Sequence, residues 1–133
     1  MKKKIFKPEI ESVIKIQNYI SEKIHTEKLT DKNWFKLNLI IEEIVVNIVS
    51  YGLKDRKNGF IEVGVTSTDQ GIFLEISDNG VAFNLLEKKD PDISADIKDR
   101  NPGGLGIFLI KQIAKDVQYA RKDDKNIIRL LIA

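Results

Sequence analysis

Apolar residues recur along this chain in two rhythms, one at helical and one at strand spacing, and polar stretches divide them. After a short strand-like start at Ile5-Phe6, the segment from Pro8 to about Ile24 places Ile10, Val13, Ile14, Gln17, Tyr19, Ile20 and Ile24 at largely helical spacing. That pattern predicts an amphipathic helix. A second helix, with Asp31 as its cap, is expected to run through Ser50, because Leu37, Ile40, Ile41, Ile44, Val45 and Ile48 recur in steps of three and four. Gly52 and the polar run from Lys54 to Asn58 end it. Phe60 to Thr66 and Ile72 to Ile76 then read as two strands of a hairpin that turns near Asp69-Gln70-Gly71. Leu105 to Ala114 returns to helical spacing. Val117 to Ala120 and Ile127 to Leu131 predict two closing strands around a turn at Asp123-Asp124-Lys125-Asn126. Strands and helices in this order, without regular βαβ alternation, predict an α/β (α+β) two-layer sandwich: a mixed, mostly antiparallel sheet with helices on one face.

Between the hairpin and the third helix, residues 84–102 are polar, contain Pro91 and Pro102, and carry charges of both signs. A loop of that length inside a compact domain is uncommon unless it is functional, so it reads as a lid over a ligand. A disordered insertion is the plainer alternative.

Composition narrows the picture without choosing a partner. The chain has 133 residues, of which 42% are hydrophobic. That is the length of one domain with one core, spanning 1–133. A formal net charge of +2 gives neither a polybasic nucleic-acid surface nor an acidic tail. Absence of cysteine removes disulfides, zinc-thiolate sites and cysteine nucleophiles, and fits a reducing compartment. Met1-Lys2-Lys3-Lys4 is not followed by the apolar run of a signal peptide, and no apolar stretch approaches the roughly 18 residues of a membrane span. A cytoplasmic protein, bound neither to membrane nor directly to nucleic acid, is expected.

Three segments can carry chemistry. Glu43 and Asn47 lie four residues apart on the second helix, so their Cβ atoms stack about 5–6 Å apart on one face. The carboxamide oxygen is a hard ligand suited to Mg²⁺ and the carboxylate can accept a proton. Alone, the pair is more often an ordinary solvated or N-capping feature of a helix. Asp78-Asn79-Gly80-Val81-Ala82-Phe83 follows an apolar strand, so Asp78 is a carboxylate on a rigid element, able to accept a hydrogen bond from an exocyclic amine such as that of adenine. A plain Asp-Asn-Gly turn is the competing account. Pro102-Gly103-Gly104-Leu105-Gly106 precedes the third helix, where glycines let backbone N–H groups approach an anion at the positive end of the helix dipole. Close helix packing around a hinge explains the same glycines. No Gly-Lys-Ser or Gly-Lys-Thr follows, which excludes a Walker A loop.

Taken together and in this order, LIIEEIVVNIVSYG (39–52), EISDNGVAFNLL (75–86) and PGGLGIFLIKQIAKDVQYAR (102–121) resemble the N, G1 and G2 boxes of the GHKL, or Bergerat-fold, ATPase superfamily. The similarity is greatest to the small serine/threonine-protein kinases that act as anti-sigma factors, and it covers essentially the whole chain. The resemblance implies a histidine-kinase-like ATP-binding domain with ATP and Mg²⁺ as cofactors. Glu43 would be the general base, with Glu42 as its neighbouring competitor, and Asn47 the Mg²⁺ ligand. Asp78 would read the adenine amino group beside Gly80 and Ala82, and Gly103, Gly104, Leu105 and Gly106 would wrap the phosphates. Lys98 and Arg100 in the lid are further phosphate contacts suggested by charge. The family pattern carries a second glycine in the G1 box, where this chain has Ala82. The implied activity is phosphorylation of a STAS-domain anti-sigma-factor antagonist in a partner-switching pathway, with a sigma factor as the other partner and a homodimer as the assembly. Two alternatives stay open: a non-catalytic nucleotide-binding module that sequesters a sigma factor or antagonist, and the detached catalytic domain of a histidine kinase. His25, the single histidine, lacks a phosphoacceptor context and reads as a helix-end residue; Trp34 and Tyr51 read as packing residues, with Tyr51 near the site.

Overall fold

The computed structural model describes residues 1–24, 29–53, 58–87 and 105–132, with Leu105 in its backbone only. The chain opens with strand β1 (Lys3–Phe6), helix α1 (Ser12–Lys23) and helix α2 (Asp31–Asn47). A hairpin of β2 (Ile61–Thr68) and β3 (Gly71–Asp78) follows, then helix α3 (Leu105–Ile113) and a second hairpin of β4 (Ala114–Lys122) and β5 (Lys125–Ile132). The strands form one sheet in the order β1-β2-β3-β5-β4, and all four pairings are antiparallel. A mostly antiparallel sheet was expected; no parallel pair occurs among the described strands.

Alternation along the strands decides which face meets the helices. Ile61, Val63 and Val65 of β2, Ile72, Leu74 and Ile76 of β3, and Ile128, Leu130 and Ile132 of β5 are buried on the inward face. Against them pack Ile16 and Ile20 of α1, Leu37, Ile40, Ile41 and Ile44 of α2, and Ile107 and Ile110 of α3. On the opposite face Glu75 is nearly buried, with the Lys3 ammonium and the Arg129 guanidinium each 3.6 Å from its Oε1.

The helices depart from the sequence pattern in instructive ways. α1 begins at Ser12 rather than Pro8, because residues 8–11 form a tight turn closed by Ser12 N–H to the Glu9 carbonyl and by Ser12 Oγ to the Lys7 carbonyl at 2.6 Å. Its buried stripe is Val13, Ile16, Tyr19 and Ile20, while Ile10 and Ile14 face solvent. Ile10 precedes the helix, and Ile14 stands about 100° round the axis from Val13. The cap of α2 is Thr30, not Asp31: its backbone is extended and its Oγ1 accepts from the Asn33 N–H at 3.1 Å. Asp31 is the first helical residue, where its charge complements the helix dipole. All the periodic apolar positions expected for α2 are buried. The α-helix stops at Asn47, however, and widens into a π-helical turn over Ile48–Gly52, with Leu53 N–H donating to the Ile48 carbonyl at 2.9 Å. Such turns concentrate at functional sites. Trp34 packs against the core as expected, but Tyr51 is exposed and is not a packing residue.

Both hairpin turns are tight. In the second, Asp123 and Asp124 both take positive φ (53° and 60°), the signature of a two-residue type I′ turn. The turn is therefore shorter than the four residues read from the sequence, and Asn126 lies inside β5, opposite Asp78. That one-strand extension moves a polar residue into the centre of the site.

Candidate functional site

A recess open to solvent lies between the C-terminal end of α2 and the sheet. Its walls are largely apolar, with Ile44 and Ile48 on the helix side, Ile76 and Ile128 on the sheet side, and Phe83 and Leu85 from the segment after β3. Three buried polar residues, Asn47, Asp78 and Asn126, are set into that lining. An apolar cleft with a few convergent polar groups is the usual form of a small-ligand site.

Asp78 ends β3, so its carboxylate is carried on the central strand and is only 5% exposed. Its Oδ1 accepts from the Gly80 N–H at 2.8 Å and from Asn126 Nδ2 at 3.2 Å. Both partners are N–H donors, so the carboxyl presents an acceptor oxygen to each. The following loop then lies directly on the π-helical turn, with Val81 N–H donating to the Gly52 carbonyl at 3.0 Å. Gly80 is required there by proximity: a Cβ would stand 2.5 Å from the Gly52 oxygen and 2.8 Å from Asp78 Oδ1. Asn79 anchors the other side, accepting from Phe60 N–H and donating to the Asn58 carbonyl, both at 2.9 Å. Asp-Asn-Gly is thus a docked loop with both asparagine and aspartate side chains engaged. Ala82 is exposed, and Phe83 rather than Ala82 lines the recess.

One turn back along α2, Asn47 Nδ2 donates to Glu43 Oε1 at 3.4 Å. Asn47 faces the recess, and Glu43 faces the first turn of α3. A Cβ on Gly106 would come within 2.5 Å of Glu43 Cγ and 2.9 Å of its Cβ, so this glycine lets α3 close on α2. Glu43 is half-buried, whereas Glu42 is exposed. Gly103, Gly104, Lys98 and Arg100 lie outside the described residues. So does the expected lid, except for Asn84 to Glu87, of which Leu85–Glu87 form a 3-10 turn. His25 is outside them as well. Asn47 offers a carboxamide oxygen type and Glu43 a carboxylate, and among the described residues no cluster of three or more His, Cys, Asp or Glu could cage a metal. The single hard oxygen of Asn47 fits Mg²⁺, which is commonly held by one or two protein oxygens together with phosphates and water.

The β4–β5 hairpin supplies residues that sequence reading overlooked. Asn126 joins Asp78, Val81 and Phe83, Tyr119 donates its hydroxyl to Asn126 Oδ1, and Arg121 donates to the Gly80 carbonyl at 2.8 Å. The signal that could have found Asn126 was its phase: it continues the inward series Ile132, Leu130, Ile128 as a polar member.

An antiparallel sheet backed by helices, with a buried carboxylate at a strand end and an asparagine on the facing helix, is the layout of an ATPase-type domain of the histidine-kinase class. The family described as the histidine kinase-like ATPase domain matches residues 6–132, and the chain belongs to it. The resemblance to the GHKL superfamily and its small serine kinases is borne out. The chain is similar to the serine/threonine-protein kinase BtrW of Bordetella bronchiseptica, 29% identical over 72% of this chain and 68% of that one. Serine-protein kinase RsbW of Listeria monocytogenes is 30% identical over 62% of this chain and 55% of its own length, so the chain spans roughly half to two thirds of these relatives. Among solved structures, the histidine kinase domain of a blue-light activated histidine kinase from Erythrobacter litoralis superposes with a TM-score of 0.63 at 13% identity, covering 92% of this chain and 63% of that one. That likeness concerns the fold. No helix among the described residues is long and apolar enough to cross a membrane.

Proposed function

We propose that this chain binds ATP with Mg²⁺ and transfers the γ-phosphoryl group to a serine or threonine hydroxyl of a STAS-domain anti-sigma-factor antagonist, acting as a cytoplasmic anti-sigma factor that alternates between that partner and a sigma factor. The observation that carries the reading is the placement of Asn47. It lines the same recess as Asp78 and also donates to Glu43, which faces the first turn of α3. Asp78 at the end of β3 and Asn47 on α2 share one recess, and Glu43 lies one helical turn before Asn47, an arrangement that supports the roles of base reader, metal ligand and proton acceptor. The names of the relatives, serine-protein kinases, support the same chemistry.

In this reading Asp78 accepts from the adenine amino group while the apolar walls of the recess take the faces of the ring. Asn47 and the phosphates would hold Mg²⁺, which neutralises phosphate charge. Leu105 and Gly106 open α3, with Gly103 and Gly104 before them in sequence, and the N-terminal N–H groups of a helix favour anions. Glu43 accepts the proton of the attacking hydroxyl, and catalysis rests on positioning and charge neutralisation. The homodimer follows from the family resemblance.

The test is calorimetric titration with ATP and ADP, with and without Mg²⁺, on the wild type and on Asp78→Asn and Asn47→Ala. Micromolar or tighter binding is expected, with affinity lost in Asp78→Asn and the Mg²⁺ dependence lost in Asn47→Ala. Incubation with a STAS-domain protein and labelled ATP should then show phosphotransfer that disappears in Glu43→Ala while nucleotide affinity persists. Folded wild type that binds no nucleotide would sink the proposal; binding without transfer would leave a nucleotide-dependent sequestering module.

A further inference from the structure

Resting on that nucleotide-binding reading, we propose that Asn126 is a positioning residue of the site: its carboxamide fixes the Asp78 carboxylate and the backbone of the 78–83 loop in the form that receives the base. Three backbone or side-chain groups of that loop converge on it. Nδ2 donates to Asp78 Oδ1 at 3.2 Å and to the Val81 carbonyl at 2.8 Å, while Oδ1 accepts from the Phe83 N–H at 3.0 Å and from the Tyr119 hydroxyl. The orientation of the amide is set by its partners, because a backbone N–H can only donate and a carbonyl can only accept. A side chain with donors at one corner and an acceptor at the other is therefore needed. Carboxylate and alkyl replacements each fail at one end or both.

The consequence for Asp78 is directional. Its Oδ1 is held between the Gly80 N–H and Asn126 Nδ2, one donor from its own loop and one from the neighbouring strand. Register supports the same arrangement, since Asp78 and Asn126 are direct partners across β3 and β5. On the far side Arg121, the β4 partner of Asn126, ties down the Gly80 carbonyl. Asn126 thus acts on the base through Asp78, and its loss should alter discrimination between bases as well as affinity.

The experiment is calorimetric titration of the wild type, Asn126→Ala and Asn126→Asp with ATP, ADP and GTP, with thermal melts to show that each variant is folded. Asn126→Ala is expected to weaken ATP by about tenfold or more, the scale of one lost charge-assisted hydrogen bond, and to narrow the ratio of ATP to GTP affinity. Asn126→Asp keeps the acceptor for Phe83 and Tyr119 but sets a second carboxylate against Asp78. The groups placed beside position 126 by hydrogen bond or register are Asp78 from β3 and Tyr119 and Arg121 from β4. Like charges at that distance raise the pKa of the pair, and a protonated member can donate as the amide did. Its ATP affinity, taken as a ratio to wild type at each pH, should therefore recover between about pH 8 and pH 5.5. Should Asn126→Ala not fold, this recovery decides alone. Wild-type affinity and selectivity in both variants, or an Asn126→Asp deficit that does not change with pH, would overturn the inference while leaving the nucleotide site intact. A folded wild type that binds no nucleotide would instead overturn the reading on which it rests.

Discussion

Replacing Gly80 by alanine tests whether the 78–83 loop is docked as tightly as its contacts require. The added Cβ would stand 2.5 Å from the Gly52 oxygen, 2.7 Å from the Gly52 carbonyl carbon and 2.8 Å from Asp78 Oδ1. Two of these atoms belong to backbone in the π-helical turn and the third to a buried side chain, so none can swing aside. Relief requires the loop to lift from the turn, which strains or breaks the Val81 N–H bond to Gly52. Overpacking of this kind costs about 1–3 kcal/mol and a lost hydrogen bond about 1 kcal/mol, for a total near 2–4 kcal/mol. With an unfolding entropy of about 2.1 cal/mol/K per residue, a chain of this length loses about 7–14 °C in Tm. The control is Gly59→Ala, whose Cβ would find the Leu53 side chain nearest, at 2.9 Å from Cδ2, 3.1 Å from Cδ1 and 3.3 Å from Cγ. Leu53 must shift as a whole side chain, which is easier than moving backbone, so the cost should be about 1 kcal/mol and below that of Gly80→Ala. Thermal unfolding by circular dichroism, run beside ATP titration, reads both effects. A Gly80→Ala melt within about 2 °C of wild type, or no greater shift than in Gly59→Ala, would refute the close approach of the loop to the turn.

Thr30→Ala should destabilise the protein by about 1 kcal/mol through loss of the α2 cap, whereas Asp31→Asn should cost no more than about half of that; equal effects in denaturant titrations would contradict the assignment of the cap. Ile16→Ala, at a fully buried position, should cost about 2–5 kcal/mol, and Ile14→Ala, 65% exposed, should fall within about 0.5 kcal/mol of wild type. The reverse order of midpoints would mean that α1 turns a different face to the sheet. Gly106→Ala gains helix propensity of about 1 kcal/mol but overpacks against Glu43, so its melt should move little while phosphotransfer falls about tenfold or more; unchanged transfer would show that Glu43 need not hold its position against α3.

What could be read from the sequence follows from the range of the interactions that decide each feature. Period and punctuation are local, and they located each described α-helix and strand, the inward face of α2 and the strand end that carries Asp78. Several local readings gave way to geometry, two of them at the helix cap and the helix face. Thr30 displaced Asp31 as cap because its extended backbone and hydroxyl reach the Asn33 N–H, and Ile14 stayed in solvent because α1 has a single buried stripe. The part of the site built by β5 depends on a pairing between residues 48 positions apart in the chain, Asp78 with Asn126. Local pattern carries no information on that register. Likewise the π-helical turn, which sets the Gly52 carbonyl against Val81, arises where α2 meets the loop and has no periodic signature of its own.

The location of the recess can be argued from where the inward apolar series end. On β3 the series Ile72, Leu74, Ile76 ends in Asp78, and on β5 the series Ile132, Leu130, Ile128 ends in Asn126, directly opposite. On α2 the buried run through Leu37, Ile41 and Ile44 arrives at Asn47. Three series from separate elements turn polar at the same end of one core, and the three polar residues are all buried, at 5–7% exposure. Burying such groups is costly unless they are hydrogen-bonded, and here Asp78 and Asn126 meet each other while Asn47 meets Glu43. A sequence selected for stability alone would have continued the apolar series and closed the sandwich. The break in all three at one level opens the recess, and it leaves Asn126 holding in place the carboxylate that a bound base would meet.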